Sequence, residues 1–252
     1  MELPKKRISR WFKLASRVFS RSKPDFLIIG AQKCGTTSLH SILSQHPQLV
    51  PPNTKKELQF FERREITFRN KLALKAQFPL MAWKKKCYES SPNTIWIPAA
   101  KWRVKKFNPD MKLIVILREP SERALSHFSF HVGKTHSDLE FHPFDLEKKL
   151  EDAQGYITRG FYHEQISHWL SEFPVEQFLF IKYEALFSLD FQQQMNNVTS
   201  VLNIPEFDFK IEHKNKVMKK ASFKSESLKS ELKHFYESKN SGIAEITGFD
   251  WY

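Results

Sequence analysis

The residues with the clearest chemical purpose form a nine-residue loop rich in glycine and hydroxyl side chains. It runs from Gly30 to Ser38 in the order Gly-Ala-Gln-Lys-Cys-Gly-Thr-Thr-Ser. Glycines permit a tight turn whose backbone N–H groups converge on a phosphate, and a following helix N-terminus adds partial positive charge. An ordinary glycine turn with a hydroxyl cap would share only part of this pattern. The loop therefore predicts a phosphate site made of Lys33, Cys34, Gly35, Thr36, Thr37 and Ser38.

The position of the lysine in this loop argues against nucleoside triphosphate hydrolysis. A Walker A motif has lysine directly after the second glycine, where this chain has Thr36, and its own lysine, Lys33, lies inside the loop. The later apolar run ending at Leu117 continues into Arg118, so it supplies no acidic ligand for magnesium. We expect a phosphate-like group bound without metal, with Lys33 contacting a leaving-group oxygen.

Apolar runs and helical periodicity define the elements that must position this loop. Four buried strands are expected, over residues 25–30, 87–89, 112–118 and 178–183. Helical patterns follow at 36–45 and from about residue 120. Strands that alternate with helices predict an α/β fold with a parallel sheet between helices. Ligands bind such sheets at the carboxyl ends of strands, which here are Ile29, Tyr88, Leu117 and Tyr183.

Composition narrows the class of protein and of partner. The chain has 252 residues, 40% of them hydrophobic and 14% aromatic, which is a globular composition. A net charge of +12 indicates anionic partners such as a nucleotide, an acidic glycan, nucleic acid or anionic lipid. Two cysteines, Cys34 and Cys87, exclude a disulfide framework and a cysteine zinc site. With no apolar leader or spanning run visible, we expect a cytoplasmic protein.

Residues 1–24 differ from the domain expected over residues 25–252. They hold eight Lys and Arg residues against the single acidic Glu2. Their apolar residues recur at helical spacing, at Ile8, Trp11, Phe12, Ala15, Val18 and Phe19. The pattern predicts a basic amphipathic helix. Two interpretations stay open for it: peripheral contact with an anionic membrane, or packing of its aromatic side on the domain.

The glycine loop with its flanks, residues 26–39, resembles the 5′-phosphosulfate-binding loop of sulfotransferases. These enzymes use 3′-phosphoadenosine 5′-phosphosulfate (PAPS), and the most similar branch contains heparan sulfate N- and O-sulfotransferases with their small bacterial relatives. The resemblance covers residues 25–252, although only short patches are specific. It implies a sulfotransferase fold, PAPS as co-substrate and no metal. It also implies sulfuryl transfer to a hydroxyl or amine, with a carbohydrate as the expected acceptor.

The same resemblance assigns residues to the nucleotide. Residues 117–128 are similar to the family's 3′-phosphate site, where a strand-end arginine and a helical serine bind; the matching positions are Arg118 and Ser126. The guanidinium fork suits phosphate geometry. Two roles stay open for Arg123, a second cation at the phosphate and a surface salt bridge, of which we expect the salt bridge. A lysine-containing segment that covers the nucleotide in many relatives corresponds loosely to Lys220, without the family's glycine.

A second group of positions faces the acceptor in the resemblance. Residues 56–61, Lys-Glu-Leu-Gln-Phe-Phe, resemble a segment whose glutamate is the proposed base, so Glu57 is expected to take the acceptor's proton. Lys33 is the other expected catalytic residue. Acceptor contacts are expected from Lys56, Glu89 and Tyr162, and a contact with the nucleotide stays open as the alternative for Tyr162. The reserve candidates for the base are His127 and His131.

Two other classes of function stay open at this point. A P-loop kinase or nucleotide hydrolase would need Mg²⁺ and would be inhibited by EDTA. A noncatalytic basic protein would bind nucleic acid or membrane through residues 1–24, with steep salt dependence. The sulfotransferase hypothesis instead predicts a small-molecule or glycan acceptor and no nucleic acid partner.

Overall fold

The described part of the chain is built around one sheet. A computed structural model describes residues 23–79, 85–135, 155–214 and 226–252. Most of the basic segment at 1–24 and the expected nucleotide contact at Lys220 lie outside the described residues. Among the helices within those ranges, none has both the length and the apolar character to cross a bilayer.

The sheet contains five parallel strands. They are β1 Pro24–Gly30, β2 Leu49–Val50, β3 Lys86–Ser90, β4 Lys112–Leu117 and β5 Phe178–Lys182. Their order across the sheet is β2-β3-β1-β4-β5. The four expected strands are confirmed to within one residue at each end, and so is the α/β class with a parallel sheet flanked by helices. The edge strand β2 is too short to produce a periodic pattern in the sequence.

Helices occupy most of the connections between strands. The α-helices are α1 Thr36–Leu43, α2 Phe60–Arg63, α3 Phe68–Lys75, α4 Ala100–Phe107, α5 Pro120–Thr135, α6 Tyr162–Leu170, α7 Phe191–Val201, α8 Glu226–Lys239 and α9 Ile243–Thr247. Short 3₁₀ turns cover Thr94–Trp96, Thr158–Gly160, Val175–Gln177 and Tyr183–Phe187. The helices expected after the first and third predicted strands begin where the sequence indicates, at Thr36 and Pro120.

The two central strands explain why the predicted runs are apolar throughout. β1 and β4 pair in parallel, with Leu27 opposite Leu113 and Ile28 opposite Ile114. Nearly every residue of both strands is buried, because a central parallel strand is covered on both faces. The carboxyl ends of β1, β3, β4 and β5 meet at one edge, which gathers the residues that follow each strand.

Candidate active site

The glycine loop leaves the carboxyl end of β1 and enters α1. It is fixed to the sheet because the N–H of Ala31 donates to the carbonyl of Ile116 at 2.7 Å. A Cβ on Gly30 would lie 2.4 Å from Cγ2 of Ile95, so only glycine fits there. Gly35 has a φ of +86°, which favours glycine. The backbone is therefore as tightly turned as a phosphate-binding loop requires.

The N-terminus of α1 has the donors that an anion needs. Gly35 is the cap residue, and no side chain within the described ranges caps the helix. The first N–H groups of a helix have no acceptor within it, and the macrodipole adds partial positive charge. This donor set fits a phosphate or phosphosulfate group. Ser38 is partly committed elsewhere, since its hydroxyl oxygen accepts the N–H of Lys214 at 3.0 Å.

Cys34 is engaged within the loop and is a packing residue. Its N–H donates to the carbonyl of Ala31 at 3.2 Å, and its Sγ lies 3.4 Å from the hydroxyl oxygen of Tyr162. The side chain is fully buried, and this burial raises the pKa of the thiol. Cys34 is predicted to contact the phosphate, but its N–H already donates to Ala31 and its side chain is buried. Neither group is therefore placed to make that contact.

Tyr183, immediately after β5, joins the loop to the predicted 3′-phosphate site. A Cβ on Gly35 would lie 2.7 Å from Cδ2 of this ring. The guanidinium carbon of Arg118 lies 4.8 Å from the centroid of the same Tyr183 ring. Tyr183 thus sets the spacing between the two expected phosphate sites. The sequence indicates only that it ends a strand.

Arg118, at the end of β4, belongs to a row of alternating charges. Its Nη2 donates to Oε2 of Glu122 at 3.1 Å, and Nζ of Lys229 lies 2.5 Å from Oε1 of that carboxylate. Ser126, the second predicted phosphate ligand, is half-buried one turn further along α5. Lys229 comes from α8, far away in sequence, and no motif marks it.

Lys33 extends from the loop toward α5. Its backbone has a φ of 71°, and its ammonium lies 3.6 Å from the centroid of the Phe130 ring. A cation over an aromatic face is attracted by the ring quadrupole. The predicted catalytic lysine therefore reaches the α5 side of the loop.

Lys56 and Glu57 lie next to the loop, on the segment before α2. Nζ of Lys56 donates to Oγ1 of Thr36 at 3.2 Å and to Oγ1 of Thr37 at 3.1 Å. It also donates to Oε1 of Glu57 at 3.3 Å. The Glu57 side chain is 38% exposed and that of Lys56 only 17%. The structure thus brings the expected base to the phosphate loop, with Lys56 between them.

A buried carboxylate fixes the segment that carries Glu57. Oε1 of Glu89, at the end of β3, accepts the N–H of Leu58 at 3.1 Å and also the hydroxyl of Ser91. Ser91 Oγ in turn accepts the N–H of Gln59 at 3.0 Å. Glu89 is 1% exposed, and burial raises its pKa to about 7. Glu89, expected to contact the acceptor, instead supports the backbone next to Glu57.

Tyr162 also differs from its expected role. It is fully buried, and its hydroxyl donates to the carbonyl of Arg118 at 2.9 Å. Its N–H donates to Oδ1 of Asn240 at 2.7 Å. These contacts place Tyr162 beneath the phosphate sites, where it joins the end of β4 to the loop through Cys34. The sequence pattern does not show whether such a tyrosine points outward or into the core.

Three basic residues of the sequence analysis are placed by α5. Arg123 is fully buried and its Nη2 donates to the carbonyl of Tyr156, so the expected surface salt bridge is wrong. His127 is 7% exposed, and burial lowers its pKa to about 3. His131 Nδ1 lies 2.5 Å from the hydroxyl oxygen of Tyr156. The charge of Lys33, in the glycine loop, lowers the pKa of His127 further, so this histidine lies near the loop as a neutral ring.

A further polar group near Glu57 is absent from the sequence analysis. The guanidinium of Arg159 stacks on Trp96, with its carbon 4.0 Å from the ring centroid, and Nη1 donates to Asn93. Glu62 accepts the hydroxyl of Thr94 at 3.2 Å. Burial raises the pKa of Glu62, and the charge of nearby Glu57 raises it further. These residues come from separate turns, so only the fold unites them.

Comparison with known proteins gives the same family throughout. A family model described as the sulfotransferase domain matches residues 23–252. Human heparan sulfate glucosamine 3-O-sulfotransferase 6 is 31% identical over 179 residues, covering 69% of this chain and 51% of that protein. The bifunctional heparan sulfate N-deacetylase/N-sulfotransferase 1 of Caenorhabditis elegans is 29% identical over 201 residues, covering 75% and 23% respectively. The chain thus spans about half or less of these relatives' lengths.

Solved structures agree on the fold. A sulfotransferase from Alicyclobacillus acidocaldarius superposes with a TM-score of 0.73 at 23% identity, covering 91% of this chain and 98% of that one. The mouse sulfotransferase SULT7A1, complexed with PAP, gives a TM-score of 0.51 at 16% identity, covering 97% and 73%. At such low identity, these likenesses describe architecture alone.

Proposed function

Because the chain belongs to the sulfotransferase domain family, we propose that it transfers a sulfuryl group from PAPS to a hydroxyl or amine, with a carbohydrate as the acceptor. The carbohydrate acceptor is supported by two relatives whose names specify heparan sulfate. PAPS as the donor is supported by the family and by a structural neighbour complexed with PAP. PAP is adenosine 3′,5′-bisphosphate, the nucleotide that PAPS leaves after transfer. The activity needs no metal in this proposal.

The donor would be held at two anionic ends. The N-terminal amides of α1, with the hydroxyls of Thr36 and Thr37, suit the 5′-phosphosulfate. Arg118 and Ser126 lie at the end of β4 and on α5, where they would bind the 3′-phosphate. When bound, PAPS supplies an activated sulfuryl group on a good leaving group. Lys33 supplies positive charge for the oxygen that leaves.

The acceptor would approach from the side of Glu57. The carboxylate is partly exposed, so it can meet a hydroxyl or amine, and its backbone is fixed through Glu89 and Ser91. Glu57 would take the acceptor's proton as the acceptor attacks. Holding the acceptor in line between the base and the loop lowers the entropic barrier.

One observation carries this proposal. A carboxylate suited to act as a base is linked, through Lys56, to the hydroxyls of the glycine loop, whose helix α1 has no side-chain cap among the described residues. Group transfer needs a donor site and a proton acceptor next to each other, and this contact provides both. A binding protein for nucleic acid would have no need of the carboxylate there.

The direct test measures transfer of ³⁵S from labelled PAPS, in EDTA, to de-N-sulfated heparin, N-sulfated heparosan and a phenol. We expect one of the glycans to be labelled. Glu57→Gln should lower that rate at least about 100-fold while PAP binding stays within about twofold. Glu65→Gln, a neutralised carboxylate that pairs with Arg103 outside the site, should match the wild type.

Two results would contradict the proposal. Full activity in Glu57→Gln would remove Glu57 as the base. Absence of ³⁵S transfer by a folded wild type, together with Mg²⁺-dependent release or transfer of the γ-phosphate of ATP, would instead favour a P-loop kinase or hydrolase.

A further inference from the structure

Lys56 occupies the one place in the described site that touches both halves of the proposed reaction. Its ammonium donates to the hydroxyls of Thr36 and Thr37, on the donor loop, at 3.2 and 3.1 Å. The same ammonium donates to the carboxylate of Glu57, on the acceptor side, at 3.3 Å. The ammonium therefore lies between the loop hydroxyls and the Glu57 carboxylate.

The position of Lys56 is set by buried structure. Glu89 and Ser91 fix the N–H groups of Leu58 and Gln59, the residues that follow the Lys56–Glu57 pair. Gln59 itself has a φ of 53°. The segment therefore turns sharply into α2 from a fixed point, and Lys56 does not depend on a mobile surface loop to reach the threonines.

Lys56 is electrostatically suited to an additional anion. Burial is the largest influence on its pKa and lowers it, opposed by Glu57 and Glu89. A partly desolvated ammonium gains from a second anionic partner. His40, which also faces Lys56 from α1, does not compete as a cation, because burial lowers its pKa to about 4 and the charge of Lys56 lowers it further.

The two lysines of the site have different contacts. Lys33 contacts the ring of Phe130 on α5, whereas Lys56 contacts the loop hydroxyls next to Glu57. These different contacts fit separate roles, with Lys33 at the leaving oxygen and Lys56 at the group being transferred.

We propose that Lys56 is a catalytic residue that binds the sulfuryl oxygens of the donor while it orients Glu57. This inference rests on the proposed function. In the step, Glu57 accepts the acceptor's proton as the acceptor oxygen or nitrogen bonds to sulfur. The bond between sulfur and the 5′-phosphate oxygen breaks, and its electron pair stays on that oxygen, which Lys33 serves. Lys56 remains protonated and follows the sulfuryl group, whose charge does not change.

The test compares the affinity of variants for PAPS and for PAP, which lacks the sulfuryl group, by calorimetry without acceptor. Lys56→Met should bind PAPS about tenfold more weakly than the wild type but PAP within about twofold. Lys33→Met should weaken both ligands. Lys55→Met removes an exposed neighbouring lysine and should change neither. Lys56→Arg keeps a cation and should recover most of the PAPS affinity.

The other outcomes are distinct. Wild-type affinities in Lys56→Met, or equal losses for PAPS and PAP, would overturn the role of Lys56 and leave the proposed function standing. A lowered thermal midpoint in Lys56→Met with parallel losses would show a structural role and overturn it as well. Absence of PAP and PAPS binding by a folded wild type would overturn the proposed function and this inference together.

Discussion

The hydroxyl of Tyr162 donates to the carbonyl oxygen of Arg118 at 2.9 Å, so a residue at the start of α6 supports the arginine expected to hold the 3′-phosphate. The same hydroxyl lies 3.4 Å from Sγ of Cys34 in the phosphate loop. One buried phenol therefore joins the two ends of the donor site. The contacts of Tyr162 should therefore fix the geometry of the expected nucleotide site and have little effect on the acceptor side.

Removing the hydroxyl of Tyr162 should weaken nucleotide binding and leave the KM for the acceptor unchanged. Tyr162→Phe leaves the Arg118 carbonyl without its donor, so we expect a loss of about 1 kcal/mol in stability and about threefold in PAP affinity. Tyr236→Phe is the matched control, since Tyr236 is equally buried and donates to the carbonyl of Ile157. It should lose similar stability with unchanged PAP affinity. A raised acceptor KM with normal PAP binding in Tyr162→Phe would restore the acceptor role expected from the sequence.

A methyl group at Gly35 should disable the loop. Gly35→Ala places a Cβ 2.7 Å from the Tyr183 ring on a backbone with φ of +86°. We expect at least about tenfold weaker PAP binding and a stability loss of about 1–3 kcal/mol. Gly248→Ala has a similar φ of +73° but open space around its Cβ. It should cost about 1 kcal/mol and leave PAP binding intact; equal binding in both variants would contradict the loop geometry.

Glu122 should weaken the binding of a 3′-phosphate, since it engages Nη2 of Arg118 at 3.1 Å. In Glu122→Gln the guanidinium loses a competing carboxylate, and PAP affinity should rise about fivefold. Lys229→Gln removes the cation on the other oxygen of Glu122 and should lower PAP affinity by a similar factor. Adenosine 5′-monophosphate, which has no 3′-phosphate, should bind both variants like the wild type. Equal effects on the two nucleotides would place this charge row elsewhere than at the 3′-phosphate.

Local patterns were sufficient for the frame of the site. The strand before Gly30, the loop itself and the start of α1 form one continuous stretch, so their apolar run, glycines and hydroxyls all appear together in the sequence. Arg118 can be predicted for the same reason, because it is the first polar residue after a buried strand.

Residues whose roles depend on burial could not be predicted in this way. Glu89 and Tyr162 follow or begin elements at the ligand edge, as acceptor contacts would, but their side chains are 1% and 0% exposed. Arg123 has the sequence context of a surface cation, yet it is fully buried. Lys229 reaches Glu122, the carboxylate that pairs with Arg118, only through the packing of α8 near α5. The sequence pattern predicts where strands and helices begin and end. The roles of these residues arise from contacts between segments that are distant in sequence.

Glu89 should make stability fall as pH rises through weakly acidic values. Burial raises its pKa from 4.5 to about 7, so between these values the folded state binds more protons than the unfolded state. Its contribution should be full below about pH 4.5 and lost by about pH 7, a change on the order of 3 kcal/mol. His40 and His127 have lowered pKa values and act in the opposite direction in acid.

Comparison of Glu89→Gln with the wild type isolates the Glu89 contribution, because both histidines are common to the two proteins. The difference in unfolding free energy, measured in urea at pH 5, 6, 7 and 8, should move in favour of Glu89→Gln as pH rises. A constant difference across this range would mean that Glu89 does not change its protonation as its burial predicts.

Calorimetric titration with PAP in EDTA shows whether this edge of the sheet binds a 3′-phosphorylated nucleotide without metal. We expect binding by the wild type and by Arg69→Ala, whose arginine is exposed on α3. Lys33→Ala and Arg118→Ala should each bind at least about tenfold more weakly. Of these two variants, Arg118→Ala alone should retain wild-type affinity for adenosine 5′-monophosphate. Failure of the folded wild type to bind PAP, or binding only with Mg²⁺, would contradict the account.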